Sequence, residues 1–499
     1  MRLRSRSAAV LAVLSCLGIA ACAQPRSLTI LHTNDMHSTF VPREAIWVRT
    51  NPRPMVGGFR QLEFAVDSIR KIRPNVLLLD GGDVMTGNPI TEREYRGAQG
   101  GALFEMMNMI GYDAWCIGNH DLDISQENLK ALVGIARFPT LSANLVNDRN
   151  EFPVGNRPYT IINRGGLRIG IIGIISQELS GLVIQTNLVG IRVLSPLETL
   201  QRYVDELDPQ TDLLVAITHQ GVTEDSLLAA SVRGLDLIVG GHTHTRLNAP
   251  KIVNGVYIVQ SGSNTENLGV VDLEVENDRI TRLKGKLLPM WAATERPRTR
   301  LAGFVDSLQA EIDHEFDEVI GTLEGDWIRR GEANTIGSYV TEAQRQAVRA
   351  DVGFMNSHGI RRDIPAGPIT KRMLFEALPF RNVLTTFQLS GAQLREVIAY
   401  ALRTGSDILM TGVTGRSEVR PDGSVALHNL QVGGNPLENT RMYSCTANDY
   451  MVGEADRYLG LELRQVIYLK RTLFATVEEA IRKDKVIVPK SILSFTRSR

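Results

Sequence analysis

Cysteine is scarce, with four residues in 499, and two of these, Cys16 and Cys22, fall at the very start of the chain. The other two, Cys116 and Cys445, lie far apart and read as buried apolar residues rather than a disulfide framework. Net charge is also missing, because 55 basic residues cancel 55 acidic ones. No global field therefore draws the chain to a nucleic-acid polymer or an anionic surface, and any phosphate it handles must be met locally. Beyond Cys22 no run is long and apolar enough for a membrane helix. A Gly-x-Ser-x-Gly elbow and a Gly-x-x-x-x-Gly-Lys-Ser/Thr loop are both absent, which removes a serine hydrolase and a P-loop ATPase. No internal repeat is evident, so the two halves of the chain are different domains rather than copies.

The start carries a targeting pattern. Arg2, Arg4 and Arg6 precede an apolar stretch from Ala8 to Ala21 and then Cys22, an arrangement typical of an export signal and too short to span a bilayer comfortably. Ile19-Ala20-Ala21-Cys22 resembles the bacterial lipobox, which implies a signal over residues 1–22 and a lipid on Cys22. The membrane would then be a partner through that lipid. Ala23 argues against inner-membrane retention, so the expected location is the cell envelope, on the outer membrane facing the periplasm. An ordinary cleaved signal with an incidental cysteine is the alternative.

With 43% hydrophobic residues, a chain of 499 is too long for one ordinary core and predicts two domains. From 26 to 294, short apolar runs alternate with amphipathic stretches, the pattern of a layered α/β domain. Residues 295–318 are strongly charged, with Leu301, Phe304, Leu308 and Ile312 at helical spacing, and predict one linker helix. A second α/β pattern fills 319–499, with helices near Ile336 to Ala350 and Gly391 to Leu402 and a strand near Val352 to Met355.

In the first half, each apolar run ends in a small-residue loop bearing metal-ligand side chains. Leu28 to Leu31 leads into HTNDMH, Val76 to Leu79 into DGGD, and Ala114 to Ile117 into GNHD. Leu213 to Thr218 leads into His219, and Leu235 to Val239 into GGHTH. Strand ends with glycine loops are where α/β proteins place chemistry. The donors offered are Asp35, His37, Asp83, Asn119, His219, His242 and His244. Imidazoles with a shareable carboxylate suit a pair of divalent cations, which can activate water and neutralise phosphoryl charge. Asp35-x-His37 and His242-x-His244, if extended, would point each pair to one side. Each motif alone is more often a turn; all five in chain order form a joint signal.

That order and wording resemble the calcineurin-like metallophosphoesterases and, further, the bacterial 5′-nucleotidase and UDP-sugar hydrolase family, over nearly the whole chain past the signal. The resemblance implies an α/β (α+β) fold: a four-layer β-sandwich metallophosphoesterase domain flanked by helices, a linker helix and a second mixed α/β domain. It assigns one metal to Asp35, His37 and His244 and the other to Asn119, His219 and His242, with Asp83 bridging both. The ions implied are Mn²⁺, Zn²⁺ or Co²⁺. It also makes His120 a catalytic group stabilising charge on the phosphoryl, oriented by Asp123. Attack is in line by metal-activated water, without a phosphoenzyme. Asp121 reads as a structural carboxylate, and His32, Asp80, His314 and His428 as ordinary residues, His32 being buried and hydrogen-bonded.

For the second half the resemblance implies a substrate pocket in which two aromatic faces sandwich a base while arginine and amides hold ribose and phosphate. The matching segments are Asn356-Ser357-His358-Gly359-Ile360-Arg361, Pro379-Phe380-Arg381-Asn382 and Asn448-Asp449-Tyr450 with Asp456. They give Asn356, Arg361, Phe380, Asn382, Tyr450 and Asp456 as substrate-binding residues. Departures fall here too. His358 stands for the usual glycine, Glu454-Ala455-Asp456-Arg457 replaces Gly-Gly-Asp-Gly, and Gly331 takes the place of an arginine, with Arg329 and Arg330 nearby. The function implied is two-metal hydrolysis of nucleotide phosphate esters, extending to nucleotide sugars or cyclic nucleotides. A non-nucleotide phosphate substrate is one alternative. An inert surface lipoprotein that binds phosphoryl ligands is another.

Overall fold

The computed structural model describes residues 25–292, 298–329, 334–420, 424–491 and 495–497. The signal with Cys16 and Cys22 lies outside the described residues, as do Arg330 and Gly331. Among the described residues, no helix is long and apolar enough to cross a membrane.

The first half is built on two six-stranded sheets. In one, Arg26–Thr33, Val76–Asp80, Ala114–Cys116 and Thr140–Leu141 run parallel, with Asn267–Glu276 and Arg279–Pro289 antiparallel on the outer side. In the other, Leu167–Ile175, Leu213–His219, Leu237–Val239 and Val256–Val259 run parallel. Alternate side chains of both sheets, among them Ile30, Leu79, Cys116, Ile171, Ile217 and Val239, meet in one apolar layer. Their opposite faces are covered by helices. Phe59–Ile72, Gly101–Ile110 and Gln126–Ile135 pack on the first sheet, and Pro196–Leu207 and Val222–Ser231 on the second. A strand buried on both faces must be apolar throughout, which is why these runs read as unbroken Val, Ile and Leu rather than as alternation. The result is the helix–sheet–sheet–helix stack expected from the family resemblance.

The helix anticipated before residue 319 spans Arg300–Phe316, and its apolar stripe of Leu301, Val305, Leu308, Ile312 and Phe316 is buried in the helical layer of the first half. It does more than link, because it is part of that layer. The second half holds a five-stranded sheet ordered Ile408–Thr411, Val352–Asn356, Met442–Asn448, Val383–Ser390, Ile467–Thr472. Helices Thr335–Ala347 and Gly391–Thr404 lie where the sequence periodicity placed them. Cys116 and Cys445 are both free and buried, and burial pushes both thiols far up.

Candidate metal centre and substrate cavity

Parallel strands of both sheets end at one edge, and the loops leaving them meet there. The Asp35/His37 loop follows Arg26–Thr33, and Asp83 follows Val76–Asp80. Asn119 follows Ala114–Cys116, His219 closes its own strand, and His242 and His244 follow Leu237–Val239. Asp35, His37 and His244 form one group of mutually close donor atoms and Asp83, His219 and His242 a second.

In the first group His37 Nε2 lies 3.0 Å from His244 Nε2, which is 3.4 Å from Asp35 Oδ1. In the second, His219 Nε2 lies 3.1 Å from Asp83 Oδ2 and 3.2 Å from Asn119 Oδ1, while His242 Nδ1 is 3.1 Å from the same amide oxygen. Donor atoms bonded to one cation at about 2.0–2.2 Å are separated by roughly these edges, so the set fits a bound divalent ion in each group. The tautomers agree. His37 Nδ1 donates to Thr86 O (3.1 Å) and His219 Nδ1 to Gly81 O (2.7 Å), which turns each Nε2 lone pair into its cluster.

The loops are not extended, so residues two apart in them need not face one side. Asp35, His37, Asp83, His242 and His244 all have positive φ, between 45° and 77°. Asp35 and His37 still share a group, but His242 and His244 part, one to each. Non-glycine residues in this region store strain that the surroundings must hold. The holding is visible. Buried Asp121 accepts from the backbone N–H groups of Asp83, Val84, Met85 and Gly118, pinning the second loop to the third. Asp35 accepts from His242 N (2.9 Å), and Asn34 ties the first loop to Ser261 and Gly262. A Cβ on Gly118 would lie 2.2 Å from Asp83 Oδ1, and one on Gly241 2.5 Å from Gly81 O, so both positions require glycine.

A proton competes with a cation for the Nε2 of His219. Burial disfavours a charged His219, but the Asp83 carboxylate and then Asp35 outweigh it and push the imidazole up to about 10. Burial, then His219, pulls His242 down to about 4, and burial, then His244, holds His37 well below the usual range. His120 Nδ1 donates to Asp123 Oδ2 at 2.8 Å, while its backbone N–H donates to Asp83 Oδ1 at the same distance. Burial opposes protonation of His120, and Asp123 and Asp83 override it to raise the pKa.

The second half closes over this edge, and both halves line one cavity of about 760 Å³. Phe380 stacks on His120, with ring centroids 5.5 Å apart, and Arg361 lies over Phe380 at 5.7 Å. Tyr450 lines the same cavity and donates to Gly181 O at 2.6 Å. Asn356 and Asn382 line it as well, Asn356 accepting from Asn448 Nδ2 (2.8 Å) and Asn382 donating to Asp449 (2.9 Å). Asp456 does not line it; it is exposed on the helix Ala455–Leu459, whose Arg457 and Tyr458 line the cavity instead. The departures from the family pattern reach the first half. Arg457 donates to Gly181 O (3.1 Å), and Glu454 accepts from Gln185 (3.2 Å).

Two features escaped the sequence reading. Thr86 Oγ1 donates to Asp123 Oδ2 at 2.6 Å, extending the His120–Asp123 chain by one member. His32 is buried as expected, but its Nδ1 has no hydrogen-bond partner, and its ring packs where Gly269 lacks a side chain. Burial pulls it down to about 4. A glycine opposite a strand histidine was the available signal.

Residues 28–246 match the model of the calcineurin-like phosphoesterases, the class that this sandwich and its edge of metal donors define. Residues 319–461 match the 5′-nucleotidase C-terminal domain. A 5′-nucleotidase of Vibrio cholerae is 28% identical over 520 residues, covering 91% of this chain and 90% of the relative. A 5′-nucleotidase precursor of Thermus thermophilus superposes with a TM-score of 0.81 at 24% identity, covering 94% of this chain and 99% of that one. A sulfate thiohydrolase of the same organism gives 0.76 at 20% identity, covering 94% and 96%, so the fold is shared by different substrates. The chain belongs to the 5′-nucleotidase family of metal-dependent phosphoester hydrolases.

Proposed function

We propose that the chain hydrolyses phosphate esters of nucleotides at two divalent cations. One would be held by Asp35, His37 and His244, the other by Asn119, His219 and His242, with the Asp83 carboxylate shared. The observation that carries this reading is the pair of adjoining donor groups with edges near 3 Å, set against a cavity walled by Phe380, Tyr450 and Arg361. Two such ions supply a nucleophile from water at neutral pH and positive charge for the phosphoryl oxygens. His120, its Nδ1–H held by Asp123, presents Nε2 to a phosphoryl oxygen as charge grows there. Among the described residues Arg361 has no ion-pair partner, so its guanidinium is free for phosphate. Phe380, already stacked on His120 and under Arg361, and Tyr450 wall the cavity where the base would lie, and Asn356 and Asn382 offer amides to the ribose.

In this reading residues 26–294 carry the chemistry, 295–318 join the halves, and 319–499 supply the substrate wall. The basic and apolar start ending at Cys22 supports export and lipid attachment in the cell envelope. Hydrolysis of nucleoside mono-, di- and triphosphates, UDP-sugars and cyclic nucleotides should disappear with chelator and return with Mn²⁺, Zn²⁺ or Co²⁺. Metal-restored turnover of simple phosphate esters, with none on any nucleotide, would move the substrate to another class. Arg457 in the cavity wall is the feature favouring that outcome.

A further inference from the structure

The cavity has a second aromatic wall, built from the first half of the chain. A hairpin of Arg43–Glu44 and Met55–Val56 carries a turn in which Val48 N–H donates to Ala45 O (2.9 Å). Ala45 is fully buried and bonded to Pro54 O, so the base of the turn is fixed. Trp47 at its tip is 43% exposed and lines the same cavity as His37, His120 and His244. Arg246, two residues beyond His244, lies over the indole at 4.6 Å. The buried Glu266 carboxylate holds Arg246 and Arg43 together, so a fixed cation backs the ring.

Charge decides what this wall takes. Arg43, Arg246 and Arg362 face Glu44, Glu266 and Glu376, and Arg362 is itself paired with Glu376. The wall is therefore near neutral, unlike the neighbouring Arg361, whose guanidinium is unpaired among the described residues. A second phosphate gains nothing here, whereas a flat ring can stack on a large, anchored, half-exposed indole. We propose that Trp47, backed by Arg246, forms a second subsite for a flat, uncharged ring esterified to the phosphorus that the metal site binds. The proposal rests on the phosphoesterase reading above and names a substrate class for it, phosphodiesters of a nucleoside with an aromatic alcohol. In the reaction, water adds to phosphorus, the P–O bond to the aryloxide breaks, and the products are the nucleotide monoester, the aryloxide and a proton.

The test compares thymidine 5′-monophosphate with its p-nitrophenyl ester on the full-length protein with Mn²⁺ added. Trp47→Ala should lower kcat/KM for the ester relative to the monophosphate by about 5- to 100-fold, the range for losing one stacked ring. Trp47→Phe should restore most of that ratio. The second readout needs no turnover. In chelator-treated protein the nitrophenyl ester should quench tryptophan emission, with a component that Trp47→Phe removes; Trp115 and Trp327 are buried, and neither they nor the exposed Trp291 lines the cavity. An unchanged substrate ratio in Trp47→Ala, or quenching identical in Trp47→Phe, overturns the subsite. A wild-type protein inert on both nucleotides overturns the nucleotide reading instead, and the quenching experiment still decides the fate of Trp47.

Discussion

The edge of candidate donors in the first half and the cavity wall of the second, the proposed substrate wall, are fastened to the molecule in different ways. Asp35, Asp83, Asn119 and His219 are buried, and their loops are bonded to one another through Asp121, Asn34 and backbone groups. Tyr450 and Arg457 meet the first half through single contacts to Gly181 O, and Arg381 through one ion pair with Glu92. Coordination bonds tolerate errors of a few tenths of an ångström, so a donor loop has to be over-determined. A stacking face tolerates much more. The departures from the family pattern, His358, Glu454 and Arg457, all fall on the loosely fastened side, where, under the proposed function, a change would alter what is bound and leave the chemistry in place.

The sharpest way to break this contrast is to empty one donor position. Asp83→Ala should abolish turnover on every substrate and lower the number of metal ions retained after gel filtration. Its effect should exceed the roughly 10- to 100-fold cost of losing an outer partner. Residual activity near wild type would mean that the donor edge is ornamental. Next in size, His120→Ala should cost on the order of 10²- to 10³-fold in kcat, as for loss of one charge-stabilising donor. It should do so equally on a nucleotide and on glycerol 2-phosphate, which has no base. Tyr450→Ala should cost about 5-fold or more in kcat/KM on the nucleotide, within the stacking range, and leave glycerol 2-phosphate untouched. Parallel losses for the two variants on the baseless ester would erase the division between the two sides.

Thr86 sharpens the comparison from inside the donor edge. Removing its hydrogen bond to Asp123 with Thr86→Val should lower kcat by about 10-fold while KM holds, the low end of outer-partner effects. Thr86→Ser should recover it; a loss that Ser does not recover would be a packing effect. This residue also marks where sequence reasoning stopped. The side chains that the fold gathers at this edge were legible, because a candidate ligand is one of a few residue types and follows a buried strand, and both signals are local. The layered α/β pattern was legible from the short apolar runs, and the sandwich from the family resemblance. The backbone of the donor loops was not, since nothing in Asp35, His37, His242 or His244 announces a positive φ, and β-branched Thr86 sits at 64°. Such conformations are imposed by the bonds around them, which join residues distant in the chain. Trp47 was invisible for a related reason. In a proline-rich charged stretch it reads as loop, and only the fold brings Arg246 and Glu266 beside it.

Asp225 gives the mildest test, and one that reads stability rather than turnover. Its carboxyl is buried beneath the His219 and His242 loops, with Oδ1 accepting from Thr218 Oγ1 (2.7 Å) and Gln220 (3.1 Å). Oδ2 has no partner, and a Cβ on Gly240 would lie 2.3 Å from it. Burial is the main reason its pKa is raised to about 7, with Glu224 adding to the shift and the hydrogen bonds opposing it. The folded value therefore lies above the unfolded one, near 3.9. Between the two, the unfolded chain has released the proton while the folded chain keeps it, so stability contributed by this group falls as pH rises and levels off above about 7. Asp225→Asn removes the titration and keeps the shape. In metal-free protein the melting temperature of the variant, relative to wild type, should climb from pH 5 to pH 7 and then stay constant. A difference that does not change with pH would show that Asp225 is already ionised in the fold, held by its donors strongly enough to outweigh burial. The donor edge would then carry a fixed negative charge behind His219, and the contrast between its two flanks would have to be redrawn in electrostatic terms.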